Sequence, residues 1–140
     1  MCDGHGLPLA VHITAGQKSE CAHFGAVASR VEAPRRPTRL IADRGYDAKG
    51  IRSWLRERRI RAVIPERRLA EGTKRRRRGR PPVLDKGQYR RRNAVERLVG
   101  WLKEHRSIAT RFDKLAVSFL AMVKLACIRR LLRAAFPHKP

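Results

Sequence analysis

The sequence predicts an α/β fold, in which short strands and amphipathic helices follow one another along the chain. Two short apolar runs, at 38–42 and 60–65, have the length and flanking residues of strands. Apolar residues recur at helical spacing in three longer segments, at 48–58, 89–103 and 116–135. These observations indicate a chain that mixes strands and helices.

The amino-terminal segment is predicted to be a tight turn followed by a strand. Asp3-Gly4-His5-Gly6 has the composition of a turn between antiparallel strands, and Leu7 to Ile13 follows as the second strand. Asp3 is explained as a turn former, because an aspartate side chain can accept hydrogen bonds from nearby backbone N–H groups. A helix is predicted next, from Ser19 to Ala33, and its apolar face comprises Phe24, Val27, Ala28 and Val31.

Asp43 follows the apolar run Thr38 to Ala42, which is consistent with a buried strand. Ligands gather at the carboxyl ends of such strands, so Asp43 is a candidate binding residue. The alternative is that Asp43 only forms an Asx turn before Gly45. Asp47 precedes a helix predicted at Ala48 to Arg58, where it is expected to serve as the N-cap.

The strand predicted at 60–65 ends at a proline, which places it at or near a sheet edge. A basic loop follows at about 66–86, rich in arginine, glycine and proline. Closely packed like charges repel, so we expect this loop to stay flexible until phosphates neutralise it. The alternative is a solubilising charge run. The residues expected to contact DNA here are Lys74, Arg75, Arg76, Arg77, Arg78 and Arg80.

The composition points to a polyanionic partner. There are 34 Lys and Arg residues against 12 Asp and Glu, a formal net charge of +22, and nucleic acid is the usual partner of such a protein. An anionic membrane is the competing partner, but the uncharged run from Leu115 to Val123 is far shorter than the roughly 20 residues of a membrane span. The amino terminus lacks a signal-peptide pattern, so we expect a cytoplasmic protein, and residues 1–140 suit a single domain.

The three cysteines are predicted to be free thiols, because their number is odd and they are widely spaced. Two of them have a histidine nearby in the sequence. Cys2 with His5, or Cys21 with His23, would bind a metal only if two further ligands joined them.

The segment from Tyr89 to Lys103 is predicted to be a helix with two distinct faces. Its polar face would carry Tyr89, Arg92, Glu96, Gly100 and Lys103, within roughly 80° of one another. The alternative is a solvated face on which Arg92 and Glu96 form an ordinary ion pair. The opposite, apolar face would dock on a core through Ala94, Val95, Leu98, Trp101 and Leu102. A last amphipathic helix, roughly 116–135, is expected to close the core with Leu120, Val123, Leu131 and Leu132.

The spacing Tyr89, Arg92, Glu96, Lys103 resembles the carboxy-terminal signature of DDE transposases from bacterial insertion sequences, and all four positions match. The segment around Asp43, Ala-Asp-Arg-Gly-Tyr-Asp, is similar to the family segment that bears its second metal-binding carboxylate. Two further stretches also resemble the family: the Asp-Gly-x-Gly-x-Pro-Leu turn at the start, and residues 106–115.

This resemblance implies an RNase H-like fold, in which a mixed sheet is flanked by helices. It also implies that Asp43 and Glu96 are catalytic, as the second and third of three carboxylates that bind Mg²⁺ or Mn²⁺. Tyr89, Arg92 and Lys103 would then face double-stranded DNA, either the transposon ends or the target.

The family's first catalytic aspartate would lie upstream of Met1, so we expect the fold to be incomplete at its amino terminus. The chain would be the carboxy-terminal portion of a catalytic domain. It would bind DNA but remain inactive alone, and it would need an upstream transposase segment or a second subunit as partner. The alternative is a non-catalytic basic nucleic-acid-binding protein, or an inhibitor made from transposase parts, and its support is the charge alone.

Overall fold

The computed structural model describes residues 1–17, 19–31, 35–67, 83–111 and 113–137. Helices and strands are mixed along this chain, which confirms the predicted α/β class. The chain divides into two compact units, and one of them comprises Ser19–Phe24 and Pro34–Arg92 while the other contains the remaining residues. These are units of packing, so the single domain over 1–140 stays a prediction. The elements are α1 (Phe24–Ala28), β1 (Arg39–Ile41), α2 (Lys49–Glu57), β2 (Arg61–Val63), α3 (Lys86–Arg90), α4 (Asn93–Lys103), α5 (Arg106–Ala109) and α6 (Ala116–Ala135).

Strands β1 and β2 form a two-stranded parallel sheet in the described part of the chain, and α2 connects them. Arg39 pairs with Arg61 and Ile41 with Val63. Helix α2 packs against the sheet through Ile51 and Leu55, and the Leu55 side chain is completely buried. Burying such a leucine contributes about 1.5–3 kcal/mol. Strand β1 is only partly buried, whereas the sequence predicted a buried strand there.

Helix α2 ends in a Schellman motif. The Ile60 N–H donates to the Leu55 carbonyl at 2.8 Å, and the Arg59 N–H donates to the Arg56 carbonyl at 2.9 Å. Ile60 and Leu55 are both buried, which is the apolar contact that accompanies this motif. Arg59 occupies the left-handed position, with φ of 53°. An arginine therefore stands where the backbone conformation favours glycine.

The predicted amino-terminal turn is confirmed, but the strand after it is not. The Asp3 carboxylate accepts hydrogen bonds from the N–H groups of His5 and Leu7, at 2.9 and 2.8 Å, as a turn former should. Leu7 to Ile13 was predicted to be a strand, but the structure has only an isolated antiparallel β-bridge between Cys2 and Pro8 in this described segment. The segment pairs with Met1 and Cys2, and the Met1 carbonyl accepts from both the Leu9 and the Ala10 N–H groups, at 3.0 and 3.4 Å.

The helix predicted from Ser19 to Ala33 is shorter in the structure and has two parts. A 3-10 helix at Glu20–His23 leads into α1, which ends at Ala28. The Ser29 hydroxyl donates to the Ala26 carbonyl, a local bond that competes with helix continuation.

The helix predicted from Tyr89 to Lys103 is interrupted, so that Tyr89 belongs to α3 and Glu96 to α4. At Arg91 and Arg92 the backbone N–H groups bond carbonyls three residues back, on Gln88 and Tyr89. Within α4 the predicted apolar face is confirmed, because Ala94 and Leu98 are buried.

Helix α6 has the predicted bounds, but its core-facing residues differ from those predicted. Val123 is buried as expected and Leu120 is partly buried. Leu131 and Leu132 are 40% and 53% exposed, so these two assignments were wrong. Ala126 and Cys127 are buried instead. Arg130 anchors the helix to its own unit, because its Nε donates to the Gly6 carbonyl at 3.1 Å. The residues of α6 after Arg130 are exposed.

Two further expectations concern cysteines and membranes. Cys2, Cys21 and Cys127 are free thiols, as predicted. In the described part of the chain, no three His, Cys, Asp or Glu side chains are grouped to hold a metal, so neither Cys–His pair gains the further ligands it would need. A search of the same residues finds no helix long and apolar enough to cross a membrane.

Candidate functional site

A pocket of about 580 Å³ lies where β1 and β2 end, inside the unit that contains both strands. Asp43 follows β1 and Pro65 follows β2, so the pocket is at the carboxyl ends of the parallel pair, the position expected for a ligand site. Three of the predicted site residues line it together. The lining consists of Asp43, Arg44, Gly45, Pro65, Arg67, Tyr89 and Arg92.

Asp43 is held in place by a local hydrogen bond. Its Oδ1 accepts from the Gly45 N–H at 2.8 Å and caps the 3-10 helix Arg44–Tyr46. The Asx turn considered as an alternative is therefore present. It does not exclude a ligand, because an ionised carboxylate has about four acceptor positions on two oxygens. A Cβ at Gly45 would approach this Oδ1 to 2.9 Å, so the absence of a side chain there permits the turn.

Tyr46, which the sequence reasoning did not single out, fixes the segment after Asp43. Its hydroxyl donates to Glu20 Oε2 at 3.2 Å, and its ring packs edge-on against Phe24 at 6.3 Å. Burial raises the pKa of Tyr46 to about 12, with further contributions from the Glu20 charge, the hydrogen bond to Glu20, and Asp43. The phenol thus stays protonated and remains a donor near neutral pH.

Asp47 is not the N-cap that the sequence predicted. Ala48 occupies that position and makes no side-chain cap. Asp47 Oδ1 instead accepts from Arg52 Nε at 2.7 Å, with 2% of the Asp47 side chain exposed. Its Oδ2 accepts from the Arg67 N–H, also at 2.7 Å, and Arg52 donates a further hydrogen bond to the Ile64 carbonyl at 2.9 Å. A capping aspartate forms only local bonds, whereas this one joins α2 to the chain after β2.

The Asp47–Arg52 pair matters to the pocket because it fixes the backbone of Arg67, a lining residue. No local pattern predicts the contact between Asp47 and Arg67, since the two residues lie 20 positions apart. A buried carboxylate of this kind is stable only with its cation and hydrogen bonds in place. We therefore regard the pair as the support of the pocket wall rather than as part of the pocket's chemistry.

The pocket has an excess of positive charge. Arg44, Arg67 and Arg92 line it against the one carboxylate of Asp43. The guanidinium of Arg92 also lies 5.7 Å from the centre of the Tyr89 ring. Guanidinium groups match phosphate oxygens in a two-pronged geometry, and an aromatic ring can stack on a nucleobase. The arrangement is suited to a phosphodiester backbone.

Glu96 and Lys103 lie on α4, in the other packing unit. Both are exposed, together with Gly100, as the predicted polar face of that helix requires. Glu96 is in the first turn and Lys103 in the last, where the helix dipole favours an anion and a cation respectively. The basic residues Lys74, Arg75, Arg76, Arg77, Arg78 and Arg80 lie outside the described residues.

Carboxylate side chains are suitable ligands for a hard divalent cation, since Mg²⁺ prefers oxygen ligands. Asp43 supplies one such group at the pocket and Glu96 supplies another on α4. Together they are fewer than the three carboxylates that the resemblance implied. The metal-binding role of both residues stays a prediction.

Comparison with known proteins addresses the family directly. The family model described as "Transposase DDE domain" matches residues 1–131. The chain belongs to the DDE transposase family. A protein named as a transposase for insertion sequence element IS402, from Burkholderia cepacia, is 31% identical over 133 residues, which cover 89% of this chain. Another, named for insertion sequence element IS6501 in Brucella ovis, is 28% identical over 125 residues, again 89% of this chain.

The two relatives differ in how much of their own length is matched. The DDE-family chain spans 57% of the Burkholderia protein and 88% of the Brucella protein. The residues that match the family model include the pocket and the whole of α4. No solved structure matches this chain.

Proposed function

We propose that this chain acts in DNA transposition as the carboxy-terminal portion of an RNase H-like DDE catalytic domain, with a mixed sheet completed by segments beyond the two strands described. It would bind double-stranded DNA at transposon ends and target sites. The observation that carries the proposal is the position of Asp43 at the carboxyl end of β1, in a pocket that it shares with Tyr89 and Arg92.

The chain's own residues would bind and orient the DNA. Arg44, Arg67 and Arg92 would hold non-bridging phosphate oxygens, and Tyr89 would contact a sugar or base next to the held phosphate. The Gly45 N–H keeps the Asp43 carboxylate turned in one direction. Lys103 and the basic loop would contact more distant phosphates.

Asp43 and Glu96 would hold Mg²⁺ or Mn²⁺. When bound, a pair of such ions stabilises the attacking and leaving oxygens of a phosphodiester displacement. Two carboxylates leave the site one short of the family's three. We therefore propose that an upstream transposase segment, or a second subunit, supplies the remaining aspartate, and that this chain alone does not transpose.

The test is nicking of a duplex that carries the flanking inverted repeats, with Mg²⁺ or Mn²⁺, by this chain with and without the upstream segment. Asp43→Asn and Glu96→Gln should each abolish nicking, whereas Glu104→Gln, which neutralises another exposed acid just after α4, should not. Nicking only with the upstream segment supports the proposal. Nicking by the chain alone would refute the need for a partner, and nicking that survives both variants would refute the roles of the two carboxylates.

A non-catalytic nucleic-acid-binding protein is the second candidate. The net charge of +22 favours it. Under this function no nicking occurs under any condition. Glu96→Gln would then leave DNA affinity unchanged or raise it, because only a negative charge near phosphates is lost.

A further inference from the structure

The amino ends of β1 and β2 carry a group of exposed arginines that the pocket does not use. We call it the amino-end arginine cluster, and its members belong to the same packing unit as the pocket. The two strands are parallel, so the cluster lies at the end of the sheet opposite to Asp43, roughly 13 Å away along the strands. The cluster consists of Arg36, Arg39, Arg58, Arg59 and Arg61, all exposed.

Contacts within the unit bring these residues together from separate parts of the chain. Arg39 and Arg61 are direct partners in the sheet register. The Arg36 guanidinium donates to the Arg58 carbonyl, and the Arg58 guanidinium lies 4.0 Å above the Trp54 ring. The cluster is therefore a defined surface and not a run of neighbours in the sequence.

The cluster is electrostatically unfavourable in the free protein. Like charges on directly paired strand residues repel, and Arg39 and Arg61 are such a pair. The acid that the structure shows paired with the cluster is Glu57, at 3.8 Å from Arg58, and both side chains are largely exposed. Exposed pairs contribute little to stability. A polyanion bound here would relieve the repulsion.

Arg59 makes a second unfavourable contribution to the stability of the free protein. It occupies the left-handed position after α2, where glycine is preferred because it has no Cβ. The fold therefore places a cation at a turn position where glycine would be more stable. A contribution to binding offers a physical reason for an arginine at this position.

We propose that the amino-end arginine cluster is a second binding surface for the phosphate backbone of duplex DNA, separate from the Asp43 pocket. Guanidinium groups bind phosphate oxygens in pairs of hydrogen bonds, and the cluster presents several of them with no base-reading element. The cluster should thus bind independently of base sequence. The inference rests on the proposed function only in taking DNA as the polyanion.

The decisive variant is Arg59→Gly, because its effects on stability and binding should have opposite signs. The midpoint of urea unfolding should rise, since the left-handed position no longer carries a side chain. Affinity for a duplex without the inverted repeats should fall about five-fold at about 0.15 M salt, and the slope of log K against log salt should lessen by about 0.9. Arg59→Lys should keep most of the affinity and gain no stability.

Two control variants separate the effect of the cluster on DNA affinity from the effects of net charge and of the pocket. Arg133→Gln removes an equal charge from the exposed end of α6, and it should change affinity and slope clearly less than Arg59→Gly. Arg92→Gln weakens the pocket, and its effect on binding energy should add to that of Arg59→Gly if the surfaces are separate. Arg59→Gly with unchanged affinity and slope, or equal losses in Arg59→Gly and Arg133→Gln, would overturn the proposal.

The outcomes also separate this inference from the proposed catalytic function. Weaker binding by Arg59→Gly without nicking under any condition would support the cluster and refute catalysis. Nicking that depends on Asp43 and Glu96, with normal binding by Arg59→Gly, would support catalysis and refute the cluster. Failure of the chain to bind duplex DNA at all would refute both.

Discussion

Both ends of the β1–β2 sheet carry several arginines, but they hold them in different ways. At the carboxyl end, Asp43 is fixed by a backbone N–H, and the backbone of Arg67 is fixed by Asp47. The Asp47 side chain is buried and forms an ion pair with the partly buried Arg52. At the amino end the arginines are exposed, and Glu57, the acid that pairs with Arg58 in the described part of the chain, is exposed as well. The carboxyl end is thus built to position groups, as chemistry requires, and the amino end is suited to long-range attraction.

The largest expected effect on stability comes from removing Asp47, which supports the carboxyl end of the sheet. Asp47→Ala should lower the free energy of unfolding by about 3–5 kcal/mol, because it leaves the partly buried Arg52 guanidinium without its anion. Urea denaturation measures the change. Glu57→Gln is the matched control at the exposed amino end, and it should change stability by less than about 0.5 kcal/mol. Similar losses in the two variants would remove the distinction between the two ends.

A second prediction concerns pH at the carboxyl end. Burial raises the pKa of Tyr46 to about 12 in the folded protein, above its ordinary value of 10.0. The stabilisation linked to this proton is fully present below about pH 10 and is lost as the pH rises toward 12. Unfolding measured across this window should show a steeper loss for the wild type than for Tyr46→Phe. Ultraviolet difference spectra of the two proteins report the same titration, and a Tyr46 signal complete by pH 10 would contradict it.

The smallest expected effect on stability concerns the repulsion between Arg39 and Arg61 at the amino end. Arg61→Gln removes half of the Arg39–Arg61 cross-strand pair and should stabilise the chain by about 0.2–1 kcal/mol. The gain should shrink as salt rises, because salt screens exposed charges. Thermal unfolding at low and high salt measures it. Destabilisation at low salt would show that these guanidiniums do not repel each other.

The two ends also differ in how well the sequence predicted them. Asp43 was singled out correctly as a strand-end residue, and its Asx turn was anticipated, because both follow from a few neighbouring residues. The roles of Tyr46 and Asp47 were missed, since their partners Glu20 and Arg67 lie 26 and 20 residues away. The amino-end arginine cluster was missed for the same reason, as Arg36 and Arg58 are 22 residues apart.

By itself, the sequence determined what depends on local chemistry: the Asp3 turn, the bounds of α6, the positions of β1, α2 and β2, and the motif by which the family could be inferred. Turn formation, capping and helical periodicity involve residues within a few positions of one another. Only the tertiary structure decided which face of α6 is covered, that Asp47 anchors the chain beyond β2, and which arginines meet at the amino end of the sheet. Those outcomes depend on which distant segments come into contact, and no local pattern encodes that choice.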